Sequence, residues 1–239
     1  MDFSRITACG ECCDGCDKIK NGFCRGCIES DGNCKEWEGS GGCPIHKCAK
    51  EHEVKFCGLC RDFPCEWVVN KVVWRNNYVE EHRQLASKYI GINIRKADKS
   101  DIFRIAEILV FNYRLNFYPV FKNDEYYFDE MQVNNIADEI NSSDFLDNTY
   151  VYDDGVIKGF IKVIGNEIEK LFVEPVLQGQ GIGRKLLDFA VYNHDADRLW
   201  ALEKNERAIK FYQRNGFLLT EEKKPEDDTD EYLVMMIKA

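Results

Sequence analysis

The feature that most constrains this chain is the placement of its cysteines. All 12 lie between Cys9 and Cys65, and the residues that follow contain none. The cysteine-bearing segment shows almost no apolar periodicity, whereas the rest alternates between helical and strand patterns. Because 239 residues suffice for two unequal domains, we expect a small Cys-rich domain (1–66), a connecting helix (67–91) and a larger domain (92–239).

The net charge of −10 is also uneven along the chain. Residues 1–90 carry 13 Lys and Arg against 14 Asp and Glu, and the remainder carries 19 against 28. An acidic second half argues against a nucleic-acid partner, since such proteins present basic surfaces. The excess of acidic residues favours a cationic substrate, although the need for solubility alone would also account for this excess.

The sequence shows no sign of a membrane partner. Met1 is followed by Asp2 and Arg5 instead of an apolar signal segment. No run of about 18 apolar residues could cross a bilayer. We therefore expect a cytoplasmic protein whose thiols stay reduced, a condition that favours metal ligation over disulfides.

Residues 66–90 carry apolar side chains at helical spacing and predict one continuous helix packed between the two regions. Beyond Gly91 the elements alternate and predict a mixed α/β domain with a mostly antiparallel sheet flanked by helices. Asp98, Ser100 and Asp101 are candidate helix caps. The predicted strands are 92–95, 149–152, 156–164, 167–173, 198–202, 217–220 and 232–237, and the predicted helices are 98–113, 181–193 and 206–215.

The most informative passage is a glycine-rich loop between a strand and a helix. Gly179, Gly181 and Gly183 let backbone N–H groups approach an anion, and the helix start adds partial positive charge. Arg184 and Lys185 add full charges, so a diphosphate is the expected occupant. A Rossmann fingerprint would need Gly or Ala where Arg184 stands, and the Gly-Lys-Ser/Thr of a Walker A loop is absent.

The loop has the pattern Gln178-x-x-Gly181-x-Gly183, and downstream the chain reads Asn205-x-x-Ala208-x-x-Phe211-Tyr212-x-x-x-Gly216-Phe217. Ala208, Phe211 and Tyr212 share a helix face, and Gly216 suits its C-terminal end. Together the two patterns resemble those of the GNAT (GCN5-related N-acetyltransferase) superfamily over residues 92–239.

The resemblance implies an acyl-CoA N-acyltransferase fold and direct acetyl transfer from acetyl-CoA to a primary amine in a ternary complex. The strand 171–173 would pair with the pantetheine arm, the loop would bind the pyrophosphate, and Asn205 would line the channel. Tyr212 would be the general acid that protonates the departing thiolate. The implied cofactor-binding residues are Leu171, Phe172, Val173, Gln178, Gly179, Gln180, Gly181, Ile182, Gly183, Arg184, Asn205, Ala208, Phe211 and Tyr212.

The general base stays open between carboxylates and a water chain. Strand alternation predicts Glu167 and Glu169 on one face with Leu171 and Val173. Glu167 matches the position used by the histone-acetylating members of the superfamily, and Glu203 is a third candidate. Equally, these glutamates could be ordinary solvated side chains.

Residues 114–148 occupy the region that forms the acceptor pocket in such enzymes. The acidic residues there and in the run 221–231 suggest a cationic acceptor such as a polyamine, an aminoglycoside or a protein lysine. The sheets of this superfamily often pair through their last strands, so the resemblance allows a homodimer. The predicted pocket residues are Arg114, Asn116, Tyr118, Tyr126, Tyr127 and Asp129.

The cysteines predict zinc. Several pairs have metal-ligand spacing, and His46 and His52 are spare nitrogen donors. Residues 5–67 resemble a bacterial and archaeal Cys-rich family of unassigned function described as zinc-binding. Ferredoxin spacing is not matched, which disfavours an iron–sulfur cluster. Which thiols share an ion stays open among Cys9, Cys12, Cys13, Cys16, Cys24, Cys27, Cys34, Cys43, Cys48, Cys57, Cys60 and Cys65.

Two functions therefore remain to be separated. The first is an active acetyltransferase with an added zinc module. The second is a non-catalytic protein that binds coenzyme A, in which the zinc-dependent module senses a signal or binds a partner.

Overall fold

A computed structural model describes residues 2–72, 76–227 and 229–239. The chain divides into two compact units, Met1–Tyr89 and Ile90–Ala239. None of its described helices is both long enough and apolar enough to cross a membrane.

The first unit consists of short helices joined by turns. Its helices are α1 (Asp17–Lys20), α2 (Pro44–Glu51), α3 (Glu66–Lys71) and α4 (Tyr78–Ile90), the last of which ends at the boundary. A small apolar core includes Ile45, Val68 and Tyr78. Gly58 permits a close approach to α4, because a Cβ atom there would lie 2.6 Å from the carbonyl oxygen of His82. This unit depends on close packing of short elements.

The single helix predicted over 66–90 is wrong. Val72, Asn76 and Asn77 are not helical, and they separate α3 from α4. Val73, Trp74 and Arg75, which belong to the predicted helix, lie outside the described residues. The apolar periodicity is satisfied in part within the first unit, where Val68 and Val72 join its core.

The second unit is built on a seven-stranded sheet in the order β1-β2-β3-β4-β5-β7-β6. Only β4 and β5 pair in parallel, and the other neighbours are antiparallel. The predicted mixed, mostly antiparallel α/β fold is confirmed. The strands are β1 (Ile94–Lys96), β2 (Thr149–Asp153), β3 (Ile157–Ile164), β4 (Glu167–Val173), β5 (Arg198–Leu202), β6 (Phe217–Pro225) and β7 (Tyr232–Lys238).

Helices cover both faces of this sheet. The helix α8 packs on one face, where Leu186 and Leu187 join Ile161 and Leu199 in a buried core. On the other face α5 and α7 pack around Phe160. The helices of this unit are α5 (Ile102–Asn116), α6 (Tyr118–Phe121), α7 (Val133–Ser142), α8 (Ile182–His194) and α9 (Glu206–Arg214), with a π-helical turn over Glu125–Glu130.

The 3-10 turn Lys99–Asp101, which leads into α5, is capped by two of the three predicted residues, Asp98 and Asp101. Asp98 Oδ1 accepts a hydrogen bond from the Ser100 amide at 2.8 Å, and Asp101 Oδ2 accepts one from the Asp98 amide at 2.9 Å. The buried Asp101 carboxylate also accepts two hydrogen bonds from the Arg95 guanidinium, at 2.7 and 2.9 Å. This network joins β1 to the start of α5 and stabilises the edge of the sheet.

Candidate active site and cysteine clusters

A cavity of about 840 Å³ lies in the second unit. Its walls come from β4, the glycine-rich loop, the start of α8, α9, the end of α5 and the β6–β7 connection. Most of the predicted cofactor residues line it, and Gln180 is the exception. The fold therefore brings together side chains that are far apart in sequence.

The cavity includes the opening between β4 and β5. Their parallel pairing is limited to Glu167 with Arg198 and Ile168 with Leu199, and both strands continue beyond it. The later residues of each strand, Leu171–Val173 in β4 and Trp200–Leu202 in β5, line the cavity. The edge of β4 that faces β5 therefore has no ladder partner there, and an extended ligand could pair with it.

The glycine-rich loop presents a row of unused amides. The backbone N–H groups of residues 179–184 donate no hydrogen bond to the described residues. Gly179 and Gly181 have φ of +81° and +82°, and open space surrounds the position of a Cβ atom at either one. Together with the start of α8, this loop suits an anion.

The two cations predicted beside the loop differ in position. Arg184 lines the cavity, and its Nε lies 3.5 Å from the Asp188 carboxylate. The Nζ atom of Lys185 instead lies 3.2 Å from the hydroxyl of Tyr152 and over its ring. Arg184 is thus the cation available at this end, and the prediction that Lys185 adds charge to the cradle is not supported.

Gln178 ties the loop to the helix α5. Its Nε2 donates to Asn112 Oδ1 and to the Val173 carbonyl, both at 3.1 Å. Asn112 is almost fully buried and donates to the same carbonyl at 3.0 Å. Asn112 was not predicted, although an amide that directly follows a run of apolar residues in α5 was a usable signal. The pair holds the end of β4 against the glycine-rich loop.

Asn205 begins α9. Its Oδ1 accepts a hydrogen bond from the Ala208 amide at 3.1 Å, so one part of its side chain is used as an N-cap. Asn205, Ala208 and Phe211 all line the cavity. Phe211 lies against the glycine-rich loop, because a Cβ atom at Gly183 would be 3.5 Å from its ring.

Tyr212 lies in the cavity wall, with its ring packed between Phe211 and Phe217. Burial raises its pKa well above the ordinary range, so its hydroxyl keeps its proton at neutral pH. That hydroxyl makes no hydrogen bond to the described residues. It is therefore a protonated donor with no partner inside the chain.

The three candidate bases have different surroundings. Glu169 is held by Lys162 at 2.7 Å and lies 3.6 Å from Lys170. Glu203 forms an ion pair with Lys223 and is not among the residues that line the cavity. Glu167 lines the cavity, and its carboxylate makes no ion pair with the described residues. Of the three, Glu167 is the most available.

The prediction that Glu167 and Glu169 share a face with Leu171 and Val173 is wrong. Lys162 pairs with Lys170 and Val163 with Ile168, so Glu169 is an extra residue in β4. This bulge shifts the alternation. Ile168, Leu171 and Val173 belong to the same core under α8. Because neighbouring residues of a strand point to opposite faces, Glu167 points away from this core.

Three of the six predicted acceptor residues line the cavity, namely Asn116, Tyr126 and Tyr127. Arg114 instead donates to the carbonyl oxygens of Tyr127 and Met131 and stabilises the π-helical turn. The hydroxyl of Tyr118 donates to Asp124 at 2.8 Å. Asp129 is exposed outside the cavity lining.

The β6–β7 connection adds Glu226 and Asp227 to the cavity wall. Burial raises the pKa of Glu226 and Asp227 adds to the rise, while Lys224 and Lys170 oppose it. The Glu226 carboxylate makes no ion pair with the described residues. Because desolvation without a partner disfavours the charged form, a bound cation would stabilise this carboxylate.

In the first unit all twelve cysteines are free thiols, and ten of them fall into two neighbourhoods. Burial raises the pKa of Cys27, and the nearby thiols of Cys34, Cys13 and Cys9 add to the rise. Cys16 and Cys43 belong to the same group. Burial raises the pKa of Cys13, and the thiols of Cys9 and Cys16 add to that rise. Burial also raises the pKa of Cys43, to which Cys9 and Cys34 add. This is the larger neighbourhood.

The second neighbourhood contains the last four cysteines. Burial raises the pKa of Cys57 to about 11, against a lowering by Tyr78, and the thiols of Cys65, Cys48 and Cys60 add to the rise. Cys12 is exposed, and Cys24 accepts hydrogen bonds from the amides of Gly26 and Lys35 at 3.4 and 3.5 Å.

The family comparison agrees with the geometry of the second unit. Residues 146–218 match the model of the acetyltransferase (GNAT) domain family. This segment includes β2 to β5, the glycine-rich loop and α9. Residues 146–218 are a GNAT domain.

Curated relatives match about a quarter of the chain. Peptidyl-lysine N-acetyltransferase YjaB of Salmonella typhimurium is 34% identical over 62 residues, which is 26% of this chain and 43% of the relative. Peptidyl-lysine N-acetyltransferase YiaC of Escherichia coli is 35% identical over 66 residues, which is 27% of this chain and 45% of the relative. The chain thus spans less than half the length of either relative.

Solved structures are similar over a larger region. Apo-form YjaB from Escherichia coli has a TM-score of 0.49 and 23% identity, covering 61% of this chain and 96% of that one. The PaiA N-acetyltransferase of Thermoplasma acidophilum in complex with coenzyme A has a TM-score of 0.45 and 22% identity, covering 61% and 98%.

Proposed function

We propose that the second unit transfers an acetyl group from acetyl-CoA to a primary amine by direct attack in a ternary complex. The observation that carries this proposal is the row of unused amides at residues 179–184, placed in one cavity with Tyr212 and Glu167. A domain that only held coenzyme A would need the amides but neither of those side chains.

The residues present fit coenzyme A. The loop amides and Arg184 would hold the pyrophosphate, and the free edge of β4 over Leu171–Val173 would pair with the amides of the pantetheine arm. When bound, the thioester supplies an activated acetyl group. Asn205 would offer its remaining N–H donors to the same arm, since its Oδ1 is used by Ala208.

Tyr212 would act as the general acid. Its hydroxyl stays protonated because burial raises its pKa, and it has no partner within the described residues. It can therefore donate a proton to the sulfur atom as the thiolate departs. Its fixed position between two aromatic rings limits the reorganisation that this step requires.

Glu167 would accept the proton of the attacking amine, directly or through a water molecule. An ammonium group cannot attack a thioester until it loses that proton. Glu167 is preferred to Glu169 because Lys162 and Lys170 already neutralise Glu169. It is preferred to Glu203, which lies outside the cavity lining.

The acceptor would be a cationic amine, and a protein lysine fits best. The named activity of the two relatives is peptidyl-lysine acetylation. In addition, Glu226 and Asp227 lie in the wall with the aromatic side chain of Tyr126. A partly buried carboxylate beside aromatic rings suits the ammonium and alkyl stem of a lysine.

A panel of amines would test the proposal, with release of the coenzyme A thiol as the readout. The panel should hold lysine peptides, polyamines and aminoglycosides, each with and without enzyme. We expect amine-dependent thiol release with at least one class. If coenzyme A binds but no amine increases thiol release, the protein is a coenzyme A-binding module and the enzymatic proposal is wrong.

We further propose that the Cys-rich residues 1–66 form a zinc-binding domain, linked by 67–91 to an acyltransferase domain over 92–239. The support is the presence of twelve free thiols, ten of them in two neighbourhoods, since thiolates are preferred zinc ligands. Elemental analysis of full-length protein purified under reducing conditions would test it. Absence of stoichiometric zinc would contradict it.

A further inference from the structure

A group of possible metal ligands that is not made of thiols alone lies at the end of α2 and in the segment 60–62. His52, Cys60 and Asp62 each offer one ligand atom, and these atoms all lie within 4.8 Å of one another. Two of the three residues are not cysteines. This is the only such group of three among the described residues.

The spacing of these atoms suits a metal ion. The His52 Nε2 and Asp62 Oδ2 atoms are 3.8 Å apart, too far for a hydrogen bond. Donors at bond lengths of about 2.0–2.3 Å in a tetrahedron lie roughly 3.3–3.8 Å apart. A small contraction would therefore bring all three atoms onto one ion.

The tautomer of His52 is also set for ligation. Its Nδ1 lies 2.9 Å from the carbonyl oxygen of Cys48, one turn earlier on α2. The Sγ atom of Cys48 is a second neighbour of Nδ1, at 3.7 Å. When Nδ1 donates its proton to the carbonyl oxygen, Nε2 is left with a free lone pair facing Asp62. A histidine ligand oriented by a backbone carbonyl on its other nitrogen is the usual arrangement at metal sites.

We propose that His52 Nε2, Cys60 Sγ and Asp62 bind one zinc ion, with water in the fourth position. A mixed set of nitrogen, thiolate and carboxylate donors suits zinc better than calcium or magnesium, which prefer oxygen alone. The side chains of His52 and Asp62 are 43% and 71% exposed, so an ion and its water ligand can reach the site. This site rests on the proposal that the first unit binds zinc, and it adds two donors outside the cysteines.

The chain offers a matched control. His46 Nε2 lies 3.0 Å from the Asp31 carboxylate in the same unit, but no thiol completes a group of three there. Full-length protein should therefore be compared as His52→Gln, Asp62→Asn and Cys60→Ser against His46→Gln and Asp31→Asn. Zinc content is measured by elemental analysis and zinc affinity by competition with a chromophoric chelator.

We expect the first three variants to lose one zinc equivalent, and their affinity at this site to fall by more than the roughly 10–100-fold typical of outer-shell changes. The two control variants should keep the wild-type zinc content. Circular dichroism of each variant shows whether the unit still folds. Cobalt in place of zinc should show a thiolate charge-transfer band that Cys60→Ser weakens by the contribution of this site and that the control variants retain in full.

A different result would reassign the site. If His52→Gln and Asp62→Asn keep all their zinc while Cys57→Ser and Cys65→Ser each lose one equivalent, four thiols hold the ion and this inference is wrong. The zinc proposal would still stand in that case. If the wild-type protein holds no zinc, both are wrong, whereas acetyl transfer is measured independently.

Discussion

Tyr212 lies in the cavity wall, and its proposed role as general acid can be tested by removing its hydroxyl group. In Tyr212→Phe the ring keeps its packing against Phe211 and Phe217, but the proton donor is gone. We expect kcat to fall by about 10²–10⁴, the usual effect of losing a general acid. Steady-state kinetics at saturating acetyl-CoA measure this, with the exposed Tyr232→Phe as control. A rate within about twofold of wild type would remove Tyr212 from the mechanism.

Glu167 and Glu169 can be distinguished by their effect on the pH–rate profile. A general base must be deprotonated to work, so the rate of the wild-type enzyme falls toward acidic pH. We expect Glu167→Gln to lose this acidic limb together with most of its activity. Glu169→Gln should keep the limb, because Lys162 and Lys170 already engage that carboxylate. If the limb persists in Glu167→Gln, the base is another group or a water chain.

Only part of the site could be predicted at the level of residues. Most of the expected cofactor residues do line one cavity. They could be predicted because the residue types at the motif positions are those that such a loop and helix require. The bulge at Glu169 could not be predicted, because it depends on the register with β3. The contacts of Gln178 with Asn112 were also missed, since they join residues far apart in sequence.

Among the structural elements, the glycine-rich loop should be sensitive to an added methyl group. Gly181 has φ of +82°, and an alanine in that conformation costs about 1–2 kcal/mol. We expect Gly181→Ala to lose stability and to bind coenzyme A at least about tenfold more weakly, which calorimetry can measure.

The matched control for this loop is Gly155→Ala. Gly155 lies in the β2–β3 turn with φ of +108° and open space around it. It should lose comparable stability and keep wild-type affinity for coenzyme A. Equal loss of affinity in both variants would show that the effect comes from general destabilisation.

The capped turn that leads into α5 should give stability that depends on pH. The hydrogen bonds from Arg95 lower the pKa of Asp101, burial opposes this shift, and the Asp98 amide adds to the lowering. A carboxyl group whose pKa is lowered by folding stabilises the protein above its unfolded pKa, and that contribution disappears as pH falls through the folded value.

We therefore expect Asp101→Asn to lower the free energy of unfolding by about 1–3 kcal/mol at neutral pH. The difference from wild type should shrink below about pH 4. Urea unfolding at several pH values tests this, with the exposed Asp129→Asn as control. A difference that is independent of pH would contradict the role of the Asp101 charge.

The elements themselves were predicted with uneven success. The bounds of β4 and β5 agree because period-two patterns end there at clear turn residues. The prediction for the segment 66–90 failed because its apolar periodicity continues past Val72, Asn76 and Asn77, where the backbone is not helical. Side-chain periodicity reports burial, and it could not show that the buried residues belong to two separate helices.

At the level of the whole molecule, two compact units predict two unfolding transitions. Removal of zinc with a chelator should lower the transition of the first unit and leave the other unchanged. Coenzyme A at about 100 times its Kd should raise the other by about 5–10 °C. Differential scanning calorimetry of the full chain measures both. A single transition that responds to both ligands would show that the units unfold together.

The described part of the chain gives the cavity no sulfur atom. Among the described residues that line it there is no cysteine or methionine, and every cysteine of the chain precedes residue 66. Acetyl transfer leaves coenzyme A as a free thiol, and a mixed disulfide forms only where a second thiol or disulfide is within reach. The described lining residues therefore offer no thiol with which free coenzyme A could form a mixed disulfide. Oxidants that attack thiols would also leave these residues unmodified.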